Sequence, residues 1–132
     1  MTDTAYGISK NLGPVDFDDA VERVTAALKT EGFGVLTEID VKATLKKKLD
    51  VDFKRYVILG ACNPPFAHKA LLAEDKIGTM LPCNVIVQEL SASTTEVAAI
   101  DPMASMQAVD SPELGDVATS VREKLRSVIE RM

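Results

Sequence analysis

Leu59-Gly60-Ala61-Cys62-Asn63-Pro64-Pro65-Phe66-Ala67-His68 decides how this chain folds, because it turns a strand into a helix within a few residues. Just upstream, Tyr56, Val57, Ile58 and Leu59 are consecutive and apolar, which predicts a strand over Arg55 to Ala61 with both faces at least partly covered. Downstream, Asn63 has the side chain of an N-cap, and Pro64 has the fixed φ and missing N–H that suit the first helical position. Phe66, Ala67, Ala70 and Leu71 then predict a buried stripe on a helix that reaches Ile77 and stops at Gly78. Cys62 falls at the corner. A second segment, Leu81-Pro82-Cys83-Asn84-Val85, echoes the Cys-Asn pair, and the two stretches together hold both cysteines, the only histidine and half of the prolines.

Working outward, the chain alternates strands and helices through short connections. Thr4 to Lys10 alternates weakly around Tyr6 and Ile8 until Asn11-Leu12-Gly13-Pro14 breaks it, which predicts a first strand. Asp16 suits an N-cap, and Phe17, Ala20, Val21, Val24, Ala27 and Leu28 form an apolar helical face that Gly32 ends. Phe33 to Ile39 reads as a strand in which Gly34 marks a bulge or a close backbone approach. Asp40 caps a short peripheral helix carrying Val41, Leu45 and Leu49 on one side, with Lys46-Lys47-Lys48 as a solvated face. Cys83 to Leu90 and Thr95 to Ile100 read as a hairpin around the polar turn Ser91 to Thr94, and Asp101-Pro102-Met103 ends it. Ser111 and Pro112 start the last helix, which buries Leu114, Val117, Val121, Leu125 and Val128. The expected class is α+β: a largely antiparallel sheet of about five strands with two or three main helices packed on it, in a single domain over residues 1–132.

Composition bounds the function. The 132 residues are 46% hydrophobic and 27% charged, which suits one domain with a real core and no need of a staple. A net charge of -5 argues against binding a nucleic-acid backbone, which needs clustered Lys and Arg. No apolar run is long enough to cross a bilayer, and Met1 to Lys10 lacks the features of a signal peptide, so no membrane partner is expected and the protein reads as cytoplasmic. Two cysteines in such a chain read as reduced thiols.

Gly32-Phe33-Gly34-Val35-Leu36-Thr37-Glu38-Ile39-Asp40, Leu59-Gly60-Ala61-Cys62-Asn63-Pro64 and Leu81-Pro82-Cys83-Asn84-Val85, in that order, resemble the domain-of-unknown-function 302 family. The likeness runs from about Tyr6 to the final helix. It implies a small α+β domain with a TATA-binding-protein-like arrangement of curved sheet and helices that self-associates. Such a fold does not carry DNA binding with it, because fold and function separate freely.

The chemistry concentrates at the two Cys-Asn segments. A thiol at a helix N-terminus feels the positive end of the macrodipole, which favours its thiolate and makes Cys62 the better nucleophile. Cys83 is the expected resolving thiol or co-ligand, with Asn63, Asn84 and His68 as supporting polar groups. Such a pair can form a disulfide, carry a persulfide, or bind a soft metal with His68 or a methionine. Three N/S ligands fall short of a structural zinc site, so no metal is assigned and the cofactor is unknown. The helix N–H groups of Phe66 and Ala67 can receive an anion unless Asn63 caps them, and capping is the favoured reading. A small-molecule pocket near Phe66, Met80 and Met103 is a further expectation. No phosphate loop, nucleophile elbow or His-Glu-x-x-His is present, so no established enzyme class is expected. The reading is a binding or thiol-relay module centred on Cys62 and Cys83. The alternative is an interaction domain that forms a homodimer, both cysteines being small hydrophobes of the core.

Overall fold

A computed structural model describes residues 1–132. Gly7–Asn11 is β2, preceded by a two-residue strand β1 at Thr2–Asp3 that was not expected. The helix α1 spans Phe17–Thr30, β3 Gly34–Asp40, α2 Val41–Leu49, β4 Tyr56–Cys62, α3 Pro64–Ala73, β5 Cys83–Ser91 and β6 Thr94–Ile100. A one-turn helix α4 at Pro102–Ser105 follows, so Asp101 caps a helix there as well as ending the hairpin, and α5 spans Pro112–Glu130. All six strands form one sheet in the order β1-β2-β6-β5-β4-β3, and every pairing is antiparallel. The architecture is α+β, and no helix is long and apolar enough to cross a membrane.

Period-two alternation gives the sheet two unlike faces. Ile8, Val57, Leu59, Ala61, Cys83, Val85, Val87, Val97 and Ala99 are buried against the helices, whereas Ile58, Ile86 and Ala98 on the other face remain half-exposed. From α1 the core takes Phe17, Ala20, Val24 and Leu28, and from α5 Val121, Leu125, Val128 and Ile129. Arg126 adds a 2.7 Å ion pair from α5 to Asp3 of β1.

Helix ends follow local chemistry. Asp16 accepts from the Asp19 N–H at 3.1 Å, Asp40 from Ala43 at 2.9 Å and Ser111 from Leu114 at 3.3 Å, each satisfying one otherwise unpaired donor. Gly32 ends α1 at φ +84°, a left-handed conformation that a side chain would strain, while the Phe33 N–H returns to the Leu28 carbonyl at 3.0 Å. The short helix α2 buries no residue, and Lys46 pairs with Asp50 at 2.9 Å, so the lysine run is a solvated face.

Two local expectations are corrected. The bulge in β3 lies between Val35 and Thr37, not at Gly34, and it leaves Leu36 as the unpaired residue. Helix α3 stops at Ala73, and Ile77 to Met80 form a separate 3-10 turn in which Ile77 is buried.

Candidate functional site

The strand-to-helix corner forms where expected, but its capping does not. Asn63 occupies the N-cap position of α3, yet its side chain makes no bond to the helix. The amide Nδ2 donates instead to the main-chain carbonyl of Glu31 at 3.1 Å, across to the end of α1. Asn63 is only 8% exposed, and Gly32 lets it come so close: a Cβ there would sit 3.3 Å from Nδ2. The Ala67 N–H is satisfied by the Asn63 main-chain carbonyl at 2.9 Å.

Glu31 is a hub as well as an acceptor. Its carboxylate accepts from Arg131 Nη2 at 2.7 Å and from Ser127 Oγ at 3.2 Å, with Lys124 Nζ at 3.9 Å. Arg131 also donates to the Thr30 hydroxyl. The ends of α1 and α5 are thereby fixed to the corner that carries Cys62. Sequence reasoning missed this cluster, since Ser127 and Arg131 lie 96 and 100 residues from Glu31 and only the charge of Glu31 marks it locally.

The corner forms one wall of a cavity of about 290 Å³ between the β4–β5 end of the sheet and the helices α3 and α5. It is lined by 17 residues, none of them charged. From the sheet come Leu36, Ala61, Cys62 and Cys83, and Phe33 comes from the residue just before β3. Phe66, Ala67, Ala70 and Leu71 come from α3, and Val117, Ala118 and Val121 from α5. Pro82 and Met106 close the remaining sides with Leu81, Pro102 and Asn63. Leu36 reaches the wall because the bulge displaces it, and it stays 67% exposed at the rim. Val117 lines this wall as well as packing against the core, two roles that sequence periodicity alone does not separate.

The structure therefore brings Cys62, Asn63 and Cys83 together. Ala61 pairs with Cys83, which puts Cys62 one residue beyond it at the same end of the sheet. Cys62 is half-buried and Cys83 buried, and both are free thiols. Burial, and then the proximity of Cys62, push the Cys83 thiol up to about 11, so at neutral pH it is an uncharged S–H. That is poor chemistry for a resolving nucleophile and good chemistry for an apolar wall. His68 is exposed on α3 outside the lining, and Asn84 is exposed opposite Gly60. No three His, Cys, Asp or Glu side chains gather in a way that would hold a metal ion. Of the expected pocket residues only Phe66 lines the cavity: Met80 and Met103 lie outside it, and Met106 takes the methionine position.

Gly60 is needed at this end of the sheet. A Cβ there would overlap the Thr37 hydroxyl and come within 2.8 Å of Pro82 Cγ. The absence of a side chain lets β3 and the segment before β5 close over β4 beside the cavity.

Comparison with known proteins adds two findings. The family model described as "Domain of unknown function DUF302" matches residues 8–132. The crystal structure of an uncharacterized conserved protein DUF302 from Bacillus stearothermophilus is similar at 28% identity, with a TM-score of 0.86 over 95% of this chain and 96% of that one. No curated protein matches the sequence.

Proposed function

The chain belongs to the domain-of-unknown-function 302 family, and we propose that it is a binding module, acting as one domain, for a small, uncharged, largely apolar molecule held in the cavity beside Cys62 and Cys83. The observation that carries this reading is a wall without a single charged side chain around about 290 Å³, close to the lower end of the roughly 300–1,000 Å³ typical of ligand sites. A charged ligand would lose its hydration there with nothing to replace it. The two thiols supply the weak, soft polar contacts that orient such a ligand, and Cys83 does so as a neutral S–H. The reading is of a cytoplasmic protein, where the glutathione pool keeps both thiols reduced.

The test is a fluorescence titration with N-phenyl-1-naphthylamine, an uncharged apolar probe. Wild-type protein is expected to bind it saturably, and Ala67→Trp, which fills the cavity from α3, is expected to abolish binding while keeping the far-UV circular dichroism. Non-saturable binding, or equal binding by the filled variant, would remove the proposal.

A second reading has its own observation. The sheet face away from the helices carries Ile58 and Ile86 half-exposed and Ile39 46% exposed, with Tyr56 and Gln88 farther along. Antiparallel sheets tolerate one solvated face, but an apolar centre on that face favours a homodimer that covers it. Sedimentation of wild-type protein and Ile58→Lys tests this. The wild type should sediment as a dimer and the variant as a monomer, and a wild-type monomer at high concentration would end the idea.

A further inference from the structure

The apolar cavity has a neighbour. A groove of about 410 Å³ runs between α3 and α5, and its lining mixes the charged residues Lys69, Glu113 and Asp116 with Ser120 and four hydrophobic side chains. Two residues, Phe66 and Val117, line both spaces, so they form the partition between them. Phe66 is not locked into the core as Leu125 or Val128 are; it is half-buried. Its ring is held from outside by two ammonium groups, Lys69 Nζ at 5.5 Å and Lys124 Nζ at 5.9 Å from the ring centroid. Such contacts are weak at exposed sites, enough to bias a rotamer without freezing it.

We infer that Phe66 is a specificity-determining residue: it closes the cavity against the α3–α5 groove and so limits the ligand to compact, uncharged molecules that end at its ring. The inference rests on the binding reading above. Val117 is β-branched on a helix and has little rotamer freedom, so the movable half of the partition is the phenylalanine. Lys69 and Lys124 are positioning residues that act through the ring, since neither contributes an atom to the apolar wall.

Displacement of bound N-phenyl-1-naphthylamine by a series of straight-chain alcohols, from hexanol to tetradecanol, tests this. Each further methylene that is buried raises affinity about fourfold, the equivalent of about 0.8 kcal/mol. In the wild type the gain is expected to stop at a chain length set by the cavity. In Phe66→Ala it is expected to continue through longer alcohols, as the tail passes into the groove. Phe66→Leu serves as the milder variant if the alanine protein does not fold. Lys69→Ala/Lys124→Ala removes nothing from the wall, and it is expected to carry the gain to longer alcohols than the wild type accepts. Met106→Ala enlarges the cavity on another side and is expected to leave the stopping point far below that of Phe66→Ala. An unchanged stopping point in the Phe66 variants, or an equal shift in Met106→Ala, overturns the gate while leaving the binding reading intact. Failure of every alcohol to compete with a probe that binds saturably also overturns the gate, and failure of the probe itself to bind overturns both.

Discussion

The Asn63 side chain donates to the Glu31 main-chain carbonyl at 3.1 Å, so the corner between β4 and α3 is tied to the end of α1 rather than to its own helix. An asparagine that looks like a local cap is a tertiary strut. Glu31 is the C-cap of α1, where the carbonyl has no intrahelical partner, and the burial of Asn63 keeps water from replacing its amide.

Asn63→Ala is therefore expected to lower the unfolding free energy by about 1–3 kcal/mol, the range for leaving a buried polar group without its partner. Asn63→Asp should cost at least as much, since it sets a carboxylate against a carbonyl oxygen. Urea denaturation with an unchanged m-value measures both. A loss within about 0.5 kcal/mol, as at ordinary surface positions, would mean that the bond does not support the corner.

Gly60→Ala is expected to destabilise more than its single methyl suggests, by about 1–3 kcal/mol as for other overpacked sites. The new methyl meets the Thr37 side chain and Pro82 Cγ, and a β-branched side chain in a strand has few rotamers to yield. Thr37→Ala should relieve part of the loss, giving a double-mutant coupling above about 0.5 kcal/mol. Strict additivity would show that the overlap is absorbed elsewhere.

The buried Cys83 thiol makes stability depend on alkaline pH. Its pKa rises from 9.0 in the open chain to about 11 in the fold. Its contribution is therefore fully present below pH 9 and is lost as pH rises toward 11, because the unfolded chain releases the proton first. A shift of this size corresponds to roughly 2–3 kcal/mol. Tyr56, whose pKa burial also raises, adds a decline of the same sign. Comparing wild type with Cys83→Ala isolates the thiol: the difference between their stability curves should narrow as the wild type loses this part above pH 9. Parallel curves from pH 8 to 11 would contradict a desolvated thiol.

Native alkylation should separate the two cysteines. Cys62 is half-buried at the rim and Cys83 buried, so iodoacetamide at neutral pH is expected to modify Cys62 first and Cys83 only after unfolding. Peptide mass spectrometry reads the order. If both label only in denaturant, Cys62 has no route to solvent and the thiol-relay idea loses its nucleophile.

Much of the fold was legible because its signals are local. The Asp16, Asp40 and Ser111 caps, the Gly32 stop and the apolar faces of α1 and α5 each depend on residues within a turn or two of one another. The short β1 escaped notice, since a two-residue strand has no period and exists through its pairing with Ser9 and Ile8. The end of α3 was overrun because Ile77 fits the helical stripe, while its burial comes from packing with Met106 and Leu114.

For the candidate site, residue order alone established that Cys62 stands at a strand-to-helix corner and that a second Cys-Asn segment follows. The antiparallel register of β4 with β5 then brought the two thiols to one end of the sheet. Whether they face water, a metal or an apolar space depended on elements far away in the chain. The β3 bulge delivers Leu36, α5 turns Val117 and Val121 inward, and Asn63 reaches across to Glu31. Short-range geometry and capping can be read from neighbouring residues because their energies are local. A cavity is the space left where several elements meet, so its charge, its size and the partition at Phe66 exist only once those elements are packed.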